Sequence, residues 1–197
     1  MVLASHLIMS AYGFWLPNDE RGSWSEFVGA WELLRFGKAT KTDDRRSRAY
    51  RPFDPTLRRA AKAALKYPAV RFSGVQARAI ARGFASQIER SGLAVFACSI
   101  LPDHIHLVVK RHRYGVETIA NQLKGAATRR LDEEDIHPLS AHRTRSGRCP
   151  KAFSRGEWKV FLYCRQDILR AVSYVERNPP KEGLPRQPWW FVTAPPG

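Results

Sequence analysis

The chain opens with an apolar, β-branched run from Val2 to about Ala11 that stops at Tyr12-Gly13, a pattern that predicts a strand. Phe14 to Gly37 mixes Trp15, Trp24 and Trp31 with Pro17, Asn18, Asp19, Gly22 and Ser23, and predicts a structured loop. Leu57 to Leu65 is the next helical pattern. Ser73 to Arg90 spaces Val75, Ile80, Phe84 and Ile88 along one side, with Ser73 placed to cap the start and Gly92 to end the helix. Two strand-like runs follow, Leu93 to Leu101 and Ile105 to Val109, and Pro102-Asp103 between them predicts a hairpin. Val116 to Leu131 returns to helical spacing through Ile119, Leu123 and Ala127.

Beyond a polar, basic loop from His137 to Pro150, Trp158 to Cys164 supplies a fourth strand. Gln166 to Arg177 is a last helix, which Asn178-Pro179 is expected to stop because proline lacks the N–H a helix needs. The order β-α-β-β-α-β predicts an α+β, ferredoxin-like domain: a four-stranded antiparallel sheet with two helices on one face and the other face open for function. Residues 1–184 form that domain, with 38–72 as a basic insertion carrying Arg45, Arg46, Arg48, Arg51, Arg58, Arg59 and Lys62. Six of the thirteen prolines lie in the last nineteen residues, so 185–197, with Trp189, Trp190 and Phe191, is expected to lie as an extended arm against another surface.

Charge narrows the function. With 33 Lys and Arg against 18 Asp and Glu, the 197 residues carry +15, which calls for a polyanionic partner, nucleic acid before an anionic membrane. No apolar run reaches the ~18 residues of a membrane span, and the start of the chain lacks a basic leader, so the expected location is the cytoplasm. Three cysteines without CxxC spacing suggest neither a disulfide framework nor a cysteine zinc knuckle.

The candidate chemistry lies in Leu101-Pro-Asp-His-Ile-His-Leu-Val-Val-Lys110. A strand's period of two sets His104, His106 and Val108 on one face and Ile105, Leu107 and Val109 on the other, so two imidazoles project side by side and can share one cation. Chance alone gives about 0.2 such pairs from six histidines in 197 residues, so the spacing has a bland reading as two surface histidines. In the last helix the apolar stripe is Ile168, Val172 and Val175; Tyr174 falls off it, and Asn178, four residues on, shares the tyrosine's side. On the helix from Val116, Asn121, Lys124 and Thr128 form a polar face ending in Arg129-Arg130, a candidate DNA contact that is equally readable as a solvated surface.

Together, the Pro-Asp-His-Ile-His-Leu context, the stretch Ala171-Val-Ser-Tyr-Val-Glu-Arg-Asn-Pro-Pro-Lys-Glu-Gly-Leu184 and the N-terminal Tyr12-Gly-Phe-Trp-Leu-Pro-Asn-Asp-Glu-Arg-Gly22 resemble the HUH single-tyrosine transposases, most closely the REP-associated tyrosine transposase branch. The resemblance implies cleavage and rejoining of single-stranded or hairpin DNA through a 5′-phosphotyrosine on Tyr174. It also implies a divalent metal, Mg²⁺ or Mn²⁺, on His104, His106 and Asn178, and a homodimer whose tyrosine helix can serve the partner's histidines. Better-known members place a glutamine where this chain has Asn178, whose shorter amide either completes the metal site or only caps the helix. A relaxase or rolling-circle initiator shares this chemistry but often has further domains or a second tyrosine. A non-catalytic basic binding module would be favoured by an RNP-like aromatic pattern, which Leu93 to Lys110 lacks.

Overall fold

The computed structural model describes residues 1–14, 16, 31–36 and 54–195. Trp15, Trp24, most of the N-terminal loop and the arginines at 45, 46, 48 and 51 lie outside the described residues. Four strands, β1 (Ala4–Ser10), β2 (Val95–Ile100), β3 (His104–Lys110) and β4 (Trp158–Leu162), form one sheet in the order β2-β3-β1-β4. All three neighbouring pairs are antiparallel, which is the ferredoxin-like arrangement expected from the order of elements. Among the described residues four α-helices accompany it: α1 (Pro55–Ala63), α2 (Gly74–Ser91), α3 (Val116–Glu133) and α4 (Arg165–Lys181).

Local chemistry explains the helix ends. The Ser73 hydroxyl accepts from the Gln76 N–H while the Gln76 side chain accepts from the Ser73 N–H, a reciprocal cap at the start of α2. Gly92 ends that helix in the left-handed conformation at φ 67°, where a side chain would be strained. Pro55 opens α1 after Asp54, whose carboxylate accepts from the N–H groups of Thr56 and Leu57.

The strands' alternation then sorts the core into two. Leu7, Met9, Ala11, Ile105, Leu107 and Val109 face α2 and α3 with Ile80, Phe84, Ile119, Leu123 and Leu131. Ala4, Phe96, Val108 and Leu162 face the other way, where Ile168, Ala171, Val172 and Val175 of α4 cover them. The second face is therefore partly roofed by the last helix, a correction to the open face expected from the sequence. Nor does Asn178-Pro179 stop α4, which continues through Pro179 and Pro180 to Lys181. Neither proline has an N–H to give the carbonyls four residues back, those of Val175 and Glu176, so the helix runs on without those two bonds and its end is closed by Glu182 N–H, which reaches the carbonyls of Asn178 and Pro179.

The C-terminal arm docks on β2, the free side of the sheet. The Gln187 amide both accepts from the Ile100 N–H at 2.7 Å and donates to its carbonyl at 2.9 Å, copying a strand's pairing with one side chain. Further on, Val192 bridges to Val95 and Thr193 N–H donates to the Val95 carbonyl. Trp189, Phe191 and Val192 pack on the core, while Trp190 stays 64% exposed. Among the described residues no helix is long and apolar enough to cross a membrane.

α2 packs tightly on α3 at Gly83, where an added Cβ would lie 2.7 Å from the Ala126 carbonyl oxygen and 3.0 Å from the Ala127 Cα. Both are backbone atoms in a helix and cannot swing aside. Gly83→Ala is therefore expected to destabilise the fold by about 1–3 kcal/mol, read as a lower urea midpoint at constant slope. An unchanged midpoint would mean that the helices are not in contact there.

Candidate active site

The site forms on the α4 side of the sheet's centre. β1 and β3 pair so that Ile8 lies opposite His106, Ser10 opposite His104 and His6 opposite Val108, which brings three imidazoles onto two adjacent strands. His104 and His106 have ring centroids 4.8 Å apart at 77°, and His6 stacks on His106 at 5.2 Å. Tyr174 reaches down from α4 with its ring 5.6 Å from His106 and 5.8 Å from His6. The tyrosine is 44% exposed, and the Lys181 ammonium sits 5.3 Å from its ring centroid. Tyrosine and histidines thus meet within one chain.

Each paired histidine has one nitrogen engaged and one left. The Asp103 carboxylate holds His104 Nδ1 at 2.7 Å while its other oxygen accepts from Arg71 at 3.3 Å. His106 Nδ1 shares a 3.0 Å hydrogen bond with His6 Nε2. Nε2 of both rings is left to meet a cation, the arrangement in which a neighbour on the far nitrogen fixes the ring's orientation. Burial favours the neutral form of two of these rings: it lowers the His6 pKa to about 4, and with the added repulsion of His104 and His6 it lowers that of His106 to about 2. Neutral imidazoles are the metal-binding form, so the donor set suits a divalent ion. Asn178 is 7% exposed and its Nδ2 has no hydrogen-bond partner; since an amide's O and N can exchange by rotation, this side chain has unused polar capacity of the kind a ligand needs.

The expected DNA-contacting face fares differently from residue to residue. Asn121 and Arg129 are exposed, whereas Arg130 is tied to Glu133 at 3.2 Å and lies 4.0 Å from Glu134. Lys124 must be corrected. It is buried, its ammonium donates to the carbonyls of Ser154 and Gly156, and burial lowers its pKa, so its charge is spent on holding that loop against α3. Thr128 likewise turns inward along the helix, donating to the Lys124 carbonyl at 2.8 Å.

Two residues of the site were missed in the sequence. His6 looked like a polar interruption in the opening strand, although its position two residues before Ile8 put it on the same face; only the pairing of β1 with β3 reveals its neighbour. Asp103 read as a turn residue and is also a histidine's carboxylate partner.

Residues 63–156 match the family model described as "Transposase IS200 like", a span that includes His104 and His106 and ends before Tyr174. Those residues, just under half of the chain, are similar to the IS200-like transposases. The transposase segment covers α2, β2, β3 and α3 and makes the chain an enzyme acting on DNA. Among solved structures, a REP-associated tyrosine transposase bound to a REP hairpin aligns over 96% of this chain and 74% of its own, at 11% identity and a TM-score of 0.48. A candidate transposase from Deinococcus radiodurans R1 aligns over 90% of this chain and 91% of its own, at 15% identity and a TM-score of 0.39. No curated protein sequence matches the chain.

The neutral histidines make the fold acid-sensitive. Below pH ~6.5 the unfolded imidazoles bind protons that His106 and His6 refuse when folded, so stability is full above that pH and falls as pH drops toward their folded values. For His106 the loss is about 1.4 kcal/mol per pH unit. Melting temperature measured from pH 7.5 to 5 should decline, and His106→Asn should flatten that decline; equal slopes in the two proteins would show that His106 protonates freely in the folded chain.

Proposed function

We propose that this transposase cleaves and rejoins single-stranded DNA next to a hairpin, with Tyr174 as the nucleophile. The observation that carries this reading is the contact of the Tyr174 ring with the His106 and His6 rings inside one chain. The ions proposed are Mg²⁺ or Mn²⁺, held through Nε2 of His104 and His106, with the Asn178 amide as a third ligand on the same side. When bound, such an ion polarises the scissile phosphate and offsets charge as phosphorus becomes five-coordinate.

The chain's own groups do the rest. Tyr174 Oη attacks phosphorus in line, losing its proton to solvent, and the P–O bond to the 3′ side breaks to leave a free 3′ hydroxyl. The 5′ end stays on the tyrosine. One phosphodiester replaces another, so the bond energy is kept, and attack by a 3′ hydroxyl reverses the step without ATP. Asp103 and His6 hold the histidine rings in place, so that little reorganisation is needed when DNA arrives. The charge of +15 supplies phosphate contacts around the site, with Asn121, Arg129 and Arg130 proposed among them and Lys124 withdrawn.

A pool of single-stranded oligonucleotides with 5′ hairpins, incubated with the protein and Mn²⁺ and resolved on a denaturing gel, should give a covalent adduct. Tyr174→Phe is expected to abolish the adduct and leave binding within about twofold, since only the attacking oxygen is lost. An adduct that persists in the variant would move the nucleophile to another tyrosine, with Tyr163 next. His104→Ala, His106→Ala and excess EDTA should each silence cleavage without unfolding the chain; cleavage in EDTA would remove the metal from the mechanism.

A further inference from the structure

A second cluster of metal-binding side chains lies away from the histidine pair, at the far end of α3. Asp132 is in the helix's last turn, His137 follows just after it, and Cys149 returns on the loop before Pro150. One ligating atom from each lies within 4.8 Å of the other two. His137 is 2% exposed, and its Nε2 is buried with no hydrogen-bond partner. Asp132 Oδ1 is likewise buried and unpartnered by hydrogen bonds. Two buried polar atoms without a hydrogen-bond partner lie side by side, a pairing that a shared cation would satisfy.

We propose that Asp132, His137 and Cys149 form a structural site for a zinc-class divalent ion, separate from the ion of the histidine pair. A thiolate, an imidazole and a carboxylate are the donor set for Zn²⁺ or Co²⁺; Mg²⁺ has little affinity for sulfur and nitrogen. A water from the partly exposed side near Cys149 completes four-coordination. Ligation releases the Cys149 proton to solvent, and the thiolate and the Asp132 carboxylate then balance the ion's two charges. Leu139 N–H donates to His137 Nδ1 at 3.2 Å, which puts the neutral ring's proton on Nε2 in the metal-free chain. Binding through Nε2 moves that proton to Nδ1 and opens this already long contact. Arg143 lies 3.7 Å from Asp132 but closer, at 3.1 Å, to exposed Asp135, so it can swing outward as the ion enters.

The ion would fasten the loop from His137 to Cys149 onto α3. That loop leads directly to Ala152, whose carbonyl accepts from Tyr12 N–H, and to Phe153, which bridges Ala11 at the end of β1. Ser10 of the same strand end lies opposite His104. The clip thus steadies the rim of the active site from outside it.

The full chain, stripped of metal and titrated with Co²⁺, should develop a near-ultraviolet thiolate-to-cobalt charge-transfer band, and with Zn²⁺ it should keep one equivalent through dialysis and melt at higher temperature. The His104→Ala, His106→Ala double variant should retain all three properties, because it has lost only the other site. Cys149→Ser should lose the band, the bound zinc and the thermal shift while keeping its circular dichroism spectrum; Cys164→Ser should behave as the parent. Failure of the parent chain to bind zinc or give the band would overturn the proposal, as would a Cys149→Ser protein indistinguishable from it.

Discussion

The antiparallel pairing of β1 with β3 is the contact on which the rest of the molecule depends. Both strands are interior to the sheet, so their shared register decides at once which side chains enter the core between sheet and α2/α3 and which turn toward α4. A slip of one residue would exchange the two sets, burying His104 and His106 among leucines and exposing Leu107 and Val109. The apolar alternation of β3 makes that slip costly. The positions of the imidazoles are thereby enforced by residues that take no part in any chemistry.

The tyrosine is placed by the same device used twice. α4 is amphipathic, and its stripe of Ile168, Ala171, Val172 and Val175 seats on the face that Val108, Phe96 and Leu162 provide. Tyr174 sits beside that stripe, so seating the stripe aims the ring at the histidines. A helix that packs with one side and presents a side chain from its shoulder needs no loop to position that group.

How much of this the sequence disclosed depends on the range of the interaction. The capping of α2, the hairpin after Leu101 and the two faces of β3 are local, and the residues that set them are neighbours in the chain. The environment of His6 depends on a strand about one hundred residues away, and nothing near it marks the partnership. Lys124 looked solvent-facing by helical spacing because the carbonyls that take its charge belong to Ser154 and Gly156, on a loop without periodicity. Pro179 and Pro180 were read as a stop, and the rule they follow is a cost rather than a prohibition: the helix gives up two bonds and continues to Lys181. Asp132, His137 and Cys149 escaped notice for a similar reason, since a spacing of five and twelve residues is no motif until the loop folds back.

The Gln187 amide on Ile100 has a consequence for self-association. Unpaired strand edges invite other strands, and a sheet with two free edges can add copies at both and grow into a fibre. Here one edge is masked by a side chain and the arm that carries it, while the outer side of β4 has no strand beside it among the described residues. The arm thus closes the β2 edge to strand addition along the residues it pairs, using one side-chain amide and a short bridge in place of a fifth strand.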